Sequence, residues 1–417
     1  AGIYAWNDIA LTLRDTDVVG NDAYGSYGGG VTLGSYSSLT IYGGSISNNS
    51  AYQSGGGIYL GEYTDLTMSD VAIGYNSAGN HGGAIYAKVS ATITDTGSRF
   101  DWNETDVNGG AIFLNESALY LSGTSFGFNE ATAYGGAIYS SNSSVEITSA
   151  TFSNNDASDR GGAIAQLYGS LDIANALFAG NSSSYYGGAI YMRGNESSGF
   201  QAVNATFYGN STVYDGGAIW LGSSDYITGS IINSTFTGNY SGNDGGGVYL
   251  NSGMYLDAGN SIFAGNAAGE SGADILAVEA SNFNSLGGNV FSQAGLAGAY
   301  DVTENDFSQI FAAYSNNAHT GVIGGELSEN GGWFDTVAIK IGGVAHDFGD
   351  IALLPADSHD LDNDADTGED LPVDARGFTR VTEGSVDAGA IEMVQTLTVT
   401  TNLDGGGDDY NGGDLAA

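Results

Sequence analysis

Gly109-Gly110-Ala111-Ile112-Phe113 and, a little further on, Phe126-Gly127-Phe128-Asn129 are a pair of phrases that returns through the first two thirds of the chain. The first phrase is Gly-Gly-Ala/Gly-Ile/Val, followed in most copies by an aromatic residue. Its Ile or Val stands at Val31, Ile58, Ile85, Ile112, Ile138, Ile164, Ile190, Ile219, Val248 and, in degenerate form, Ile275. The steps are 27, 27, 27, 26, 26, 26, 29, 29 and 27 residues. The Asn of the second phrase falls at Asn21, Asn49, Asn76, Asn103, Asn129, Asn155, Asn181, Asn210, Asn239 and Asn266. A fixed period this short, held over ten copies, is the signature of a solenoid.

One rung shows which solenoid. Between Gly109 and Tyr134 the signals are a short strand at Ala111 to Leu114, a turn at Asn115 to Ser117, an alternating Leu119-Tyr120-Leu121, a bend at Gly123 and a third short strand at Ser125-Phe126. No apolar spacing of three and four residues runs long enough for a helix. Three short strands in about 26 residues make one coil of a parallel β-helix, and each coil is stable only when stacked on others. The chain therefore reads as all-β: a right-handed parallel β-helix of about ten or more coils with an irregular C-terminal cap.

Equivalent residues of successive coils should stack. The Ile/Val column, Leu60, Leu114, Leu221 and Leu250, and the column Phe100, Phe126, Phe152, Phe178, Phe207, Phe236 and Phe263 are expected inside. The Gly pairs suit turns with positive φ or close backbone approach. Asn76, Asn103, Asn129, Asn155, Asn181, Asn210 and Asn239 are expected at a bend, each amide bonding the one above and below. Tyr59, Tyr86, Phe113, Tyr139, Tyr191, Trp220 and Tyr249 follow the inward Ile by one residue, which places them on the outer face. Such a stripe suits sheet stabilisation, lateral packing or sugar contact.

Charge narrows the partners. Forty-eight acids against eight bases give a net charge of −40. A surface of that sign repels phosphate backbones and anionic lipids, so nucleic acid is not an expected partner. No run is long and apolar enough to span a bilayer as a helix, and membrane insertion by this segment is not expected. The absence of Cys leaves a fold without disulfides. A chain that opens on strand-like sequence, without a signal peptide, is expected to be a piece of a larger precursor.

With these motifs in hand, Gly-Gly-Ala-Ile paired with Phe-x-x-Asn resembles the repeats of the chlamydial polymorphic outer membrane proteins and, more broadly, bacterial right-handed parallel β-helix surface proteins. The resemblance covers residues 18–290. It implies a secreted or surface-displayed adhesin or structural passenger, extracellular or on the cell surface. A second resemblance lies further on. Ser285-Leu286-Gly287-Gly288-Asn289, Leu327 to Gly332, Asp374-Ala375-Arg376-Gly377-Phe378-Thr379-Arg380 and Val386 to Glu392 come in the order found at the C-terminal end of β-helix surface proteins with anchor tails. The expected division is repeats over 1–290, an irregular continuation and cap over 291–395, and a terminal strand with an acidic tail over 396–417, the opening of a next unit. Expected partners are other copies head to tail, or adjacent repeats of a longer chain, and glycans.

Two chemistries compete with a purely architectural role. Asp360, Asp362, Asp364, Asp366 and Asp370 make an alternating acidic loop of the kind that takes calcium, although the Gly and Glu of an EF-hand are missing from their positions. The alternative function is a carbohydrate-binding or polysaccharide-cleaving β-helix. Cleavage by elimination needs cationic side chains together, yet Lys88, Arg99, Arg160 and Arg193 fall at different phases of the repeat. Hydrolysis needs paired carboxylates at a set separation, and no recognisable constellation recurs. No catalytic residue is assigned, and the expected function is an extracellular structural or adhesive module of a large surface protein or filament.

Overall fold

A computed structural model describes residues 1–393 except 226, 280–281 and 294–295. The expected strand at Leu397 to Asn402 and the acidic tail lie outside the described residues. The body is a parallel β-solenoid of eleven coils, starting one coil earlier than the motif count, because strand Ile3–Ala5 pairs with Val31–Leu33 in the register of every later rung. Neighbouring strands sit about 4.8 Å apart, so the rod is about 50 Å long.

Each coil carries three main strands. In one rung these are Ile112–Asn115, Ala118–Ser122 and Ser125–Gly127, each paired in parallel with its equivalents in the coils before and after. A fourth ladder of two-residue strands, such as Glu130–Ala131, runs along the corner after the Asn. Gly109 forms the next corner with φ +70, and Gly110 lies so close to the following coil that a Cβ would meet Gly136 O at 2.0 Å. Only glycine satisfies both demands.

The interior is the stacked columns the periodicity calls for. The Phe column is fully buried and extends one coil further, to Phe291, with successive ring centroids 4.5 to 5.4 Å apart. Burying each ring is worth about 1.5–3 kcal/mol. The Asn column runs beside it. Asn129 Nδ2 donates to Phe100 O and to Asn155 Oδ1, both at 2.9 Å, while its own Oδ1 accepts from the backbone and side-chain nitrogens of Asn103, both at 3.0 Å. The same pattern repeats from Asn49 to Asn239, so this buried amide ladder has its donors satisfied. An inward Asp95 interrupts the apolar interior between Met68 and Leu121.

The rod ends with Phe283–Gly287, Val290–Phe291 and a last parallel strand, Val302–Thr303. A single helical turn, Phe307–Ile310, follows, with Asp306 accepting from Ser308 N as its cap. The chain then turns back along the side of the rod. Its hairpin Tyr314–Asn316 with Ile323–Gly325 and the irregular stretch to Met393 lie against the later coils.

Candidate functional site

Three surfaces come out of this architecture, and the first is the outer stripe. Phe113, Tyr139, Tyr191 and Trp220 point away from the main core, yet all four are buried in a second apolar cluster, with Ala165 between them. Tyr59, Tyr86 and Tyr249 continue the stripe and are half-buried. Two things cover it. The rings stack on one another, with Tyr86–Phe113 centroids at 5.0 Å and Phe113–Tyr139 at 4.9 Å. Side chains from the preceding corner then close over them: His81 stacks on Phe113 at 4.5 Å, and Arg160 lies over Tyr134, Tyr186 and Tyr191. The stripe is thus packed against its own neighbours over Phe113 to Trp220 and more open at Tyr59, Tyr86 and Tyr249.

A different aromatic column is exposed. Tyr75, Trp102 and Phe128 each precede a ladder Asn, with φ near +56. They stack at 6.3 and 4.4 Å and are exposed to solvent. Further along the rod the same left-handed position holds Asn154 and then Gly180, Gly209, Gly238 and Gly265. The change of residue marks where the C-terminal hairpin lies. A Cβ on Gly209 would meet Asn317 Nδ2 at 2.2 Å, and one on Gly265 would meet Gly324 at 2.6 Å. Thr320 Oγ1 donates to Gly238 O at 2.6 Å on this track. The periodicity of Ile and Asn does not reveal this column; the switch from aromatic to glycine just ahead of the Asn is the signal for it.

A second left-handed corner, at Asn175, Asn204, Asn233 and Asn260, grips the rest of the returning segment. Asn204 Nδ2 donates to Val373 O at 2.9 Å, and Asn260 exchanges hydrogen bonds with the backbone of Asp350. Asn233, with its oxygen turned to the guanidinium, accepts from Arg380 Nε at 3.2 Å. Arg380 is fully buried and donates to Asp387 O and Gly389 O. Asp374 accepts from Arg376 and from Glu392 N, and Ala375 N donates to Ala390 O. The Asp374-to-Arg380 and Val386-to-Glu392 motifs are therefore one buried clasp on the rod. Burial pushes the Glu392 carboxyl up to about 7, despite hydrogen bonds from Thr382 and Asp387 N.

The third surface is the acidic loop. Asp360, Asp362 and Asp364 bring carboxylate oxygens within 4.8 Å of one another, whereas Asp366 and Asp370 join no such group among the described residues. A second group, Asp357, Asp362 and Glu369, shares Asp362. Asp357 and Glu369 stand outside the alternating run, so their part was not legible in it. The loop is anchored by His359, whose Nε2 lies 3.5 Å from Asp172 of the rod. Burial opposes a charged imidazole there, but the Asp172 carboxylate prevails and holds the His359 pKa above its usual value. Leu354 and Leu371, on either side of the loop, pack with Val203.

The basic side chains of the rod stay apart. Lys88 pairs with Glu62 at 2.6 Å, Arg99 with Asp101, and Arg160 with Asp159 at 3.2 Å. What the geometry defines is a parallel β-helix with a laterally clasped C-terminal segment. The repeat model described as the Chlamydia polymorphic membrane protein repeat matches residues 175–193, the stretch from Asn175 through the Phe178, Asn181 and Ile190 columns. Over that stretch the β-helix is similar to the polymorphic membrane protein repeat, and repeat and fold together fit a module of a surface protein. No curated protein and no solved structure matches it.

Proposed function

We propose that this chain is a rigid, surface-displayed spacer and adhesive module, working outside the cell as part of a larger surface protein or a filament. The observation that carries this is the continuity of the buried Asn ladder through ten coils, from Asn21 to Asn266, beside an unbroken Phe stack. A rod held by identical bonds in every coil resists bending and local opening, because each rung closes the polar groups of its neighbours. Its outer surface carries most of the −40 charge, which keeps single rods soluble and discourages unspecific contact.

Contacts then fall to two places. The exposed side chains of Tyr75, Trp102 and Phe128 offer a lateral apolar ledge. The second place is axial, where the expected partner is another such unit, either an adjacent repeat of a longer chain or a second copy head to tail.

Electron microscopy of the purified chain, with an adhesion assay on immobilised glycans and host-type surfaces, tests the proposal. Rods that string end to end, or that adhere and lose adhesion when Tyr75, Trp102 and Phe128 are all changed to Ser, support it. Rods that stay single at every concentration and adhere to nothing overturn it. Release of product from a polysaccharide would instead establish the enzymatic alternative.

A further inference from the structure

We propose that Asp357, Asp362 and Glu369 form a binding site for a hard divalent cation of calcium's class. One carboxylate oxygen from each residue lies within 4.8 Å of the other two. That spacing lets all three approach a single ion at about 2.3–2.6 Å.

The acidic cluster alone would not require an ion, since clustered surface carboxylates are ordinarily satisfied by water. Asp357 is different. It is only 1% exposed, its Oδ2 accepts from Leu361 N at 2.7 Å, and its Oδ1 has no hydrogen-bond partner. Glu369 Oε1 is also buried without a partner. A buried carboxylate oxygen without a donor is costly, and two of the three residues in this group carry one. The His359 ring, for its part, is turned to Asp172. In the neighbouring group, by contrast, Asp360 Oδ1 and Asp364 Oδ1 already accept from Ala365 N and Asp366 N. The unmet demand therefore lies on the Asp357 side of Asp362.

The site also has a mechanical position. Asp357 N donates to Glu369 O at 2.8 Å, so an ion held by both side chains clamps the two ends of the loop. Through Leu354, Leu371 and the His359–Asp172 pair, that clamp fixes the loop against the rod.

The test is calorimetric titration of the chelator-stripped full chain with calcium chloride, paired with thermal unfolding. Saturable binding of one ion with a Kd at or below about 1 mM is expected. Asp357→Asn and Glu369→Gln should each weaken it about tenfold or more, while Asp366→Asn in the same loop changes it less than about threefold. Circular dichroism of each variant separates lost binding from lost folding. No saturable binding would overturn the proposal, as would binding that survives Asp357→Asn and Glu369→Gln in folded protein.

Discussion

The side-chain amide of Asn266 donates to Oδ1 of Asp274 at 3.1 Å, so the asparagine ladder ends on a buried carboxylate. Asp274 occupies the position of Gly247 in the preceding coil and of Ala218 in the one before that. Its Oδ2 accepts from Ser292 N and Oγ, both at 2.8 Å, and from Gln293 N at 3.0 Å. The chain there no longer supplies another ladder Asn, and the carboxylate gathers the donors that one would have met. Burial outweighs these bonds and pushes its pKa from 3.8 up to about 6.

A pH dependence opposite to that of a salt-bridged carboxylate follows from this. The folded chain keeps a proton on Asp274 between 3.8 and about 6, and on Glu392 between 4.5 and about 7, where the unfolded chain has released it. Stability from these groups is full below the unfolded values and falls as pH rises through the folded ones. For Asp274 the loss is on the order of 2–3 kcal/mol. Urea unfolding at pH 4.5 and pH 7.5 is expected to show the higher midpoint at the lower pH. Asp274→Asn should flatten the slope between pH 4 and 6, and a slope unchanged in that variant would show that another group is responsible.

The ladder itself is testable at Asn155. Asn155→Ala removes the acceptor of Asn129 N and Nδ2 and the donor to Phe126 O. Each buried group left unpaired costs about 1–3 kcal/mol, so a loss of at least about 3 kcal/mol is expected by denaturant titration. A loss below about 1 kcal/mol would mean that water enters and replaces the amide.

Asp95 offers the reverse experiment. It is 1% exposed inside the rod, Thr124 Oγ1 donates to its Oδ2 at 2.6 Å, and its Oδ1 has no partner. Burial raises its pKa despite the bonds from Ser98 and Thr124. Coil neighbours at the same position are Met68 and Leu121. Asp95→Leu is therefore expected to stabilise the rod by about 1 kcal/mol or more at neutral pH, read as a higher melting temperature.

Docking of the hairpin rests on Gly209. Its φ is +61, and a Cβ would strike Asn317. Gly209→Ala is expected to cost about 1–3 kcal/mol and to raise hydrogen exchange over residues 314–325, leaving the Phe ladder protected. Trp102→Gly, at the matching position of an uncovered coil, should change stability by less than about 1 kcal/mol. The hairpin staying protected in Gly209→Ala would show that contacts elsewhere hold it.

How far the sequence is readable depends on whether a residue answers to its own coil or to a distant segment. Ile112, Phe126 and Asn129 face their equivalents one coil away, and a repeat period carries that information directly. The burial of Phe113 and Tyr139 does not follow from alternation, because it depends on His81 and Tyr134 of the neighbouring corner ladder lying against their rings. Gly209 with Asn317, and Asn233 with Arg380, join residues more than a hundred positions apart, which no local pattern encodes. The acidic loop was visible as composition. Which of its oxygens lack partners depends on how the loop closes between Asp357 and Glu369.

The clasp also sets where such a molecule can change length. Bonds to the returning segment are spread over Asn204, Asn233, Gly238 and Asn260, each at a fixed height on the rod. Gain or loss of one coil among these would move part of the set by a whole step of about 4.8 Å and leave the segment out of step with its anchors. Among the described residues, coils ahead of Asn154 make no such bonds to the returning segment. Duplication or deletion within them would lengthen or shorten the reach of the rod without disturbing how this segment closes on it, so variation in repeat number is expected to concentrate in those coils.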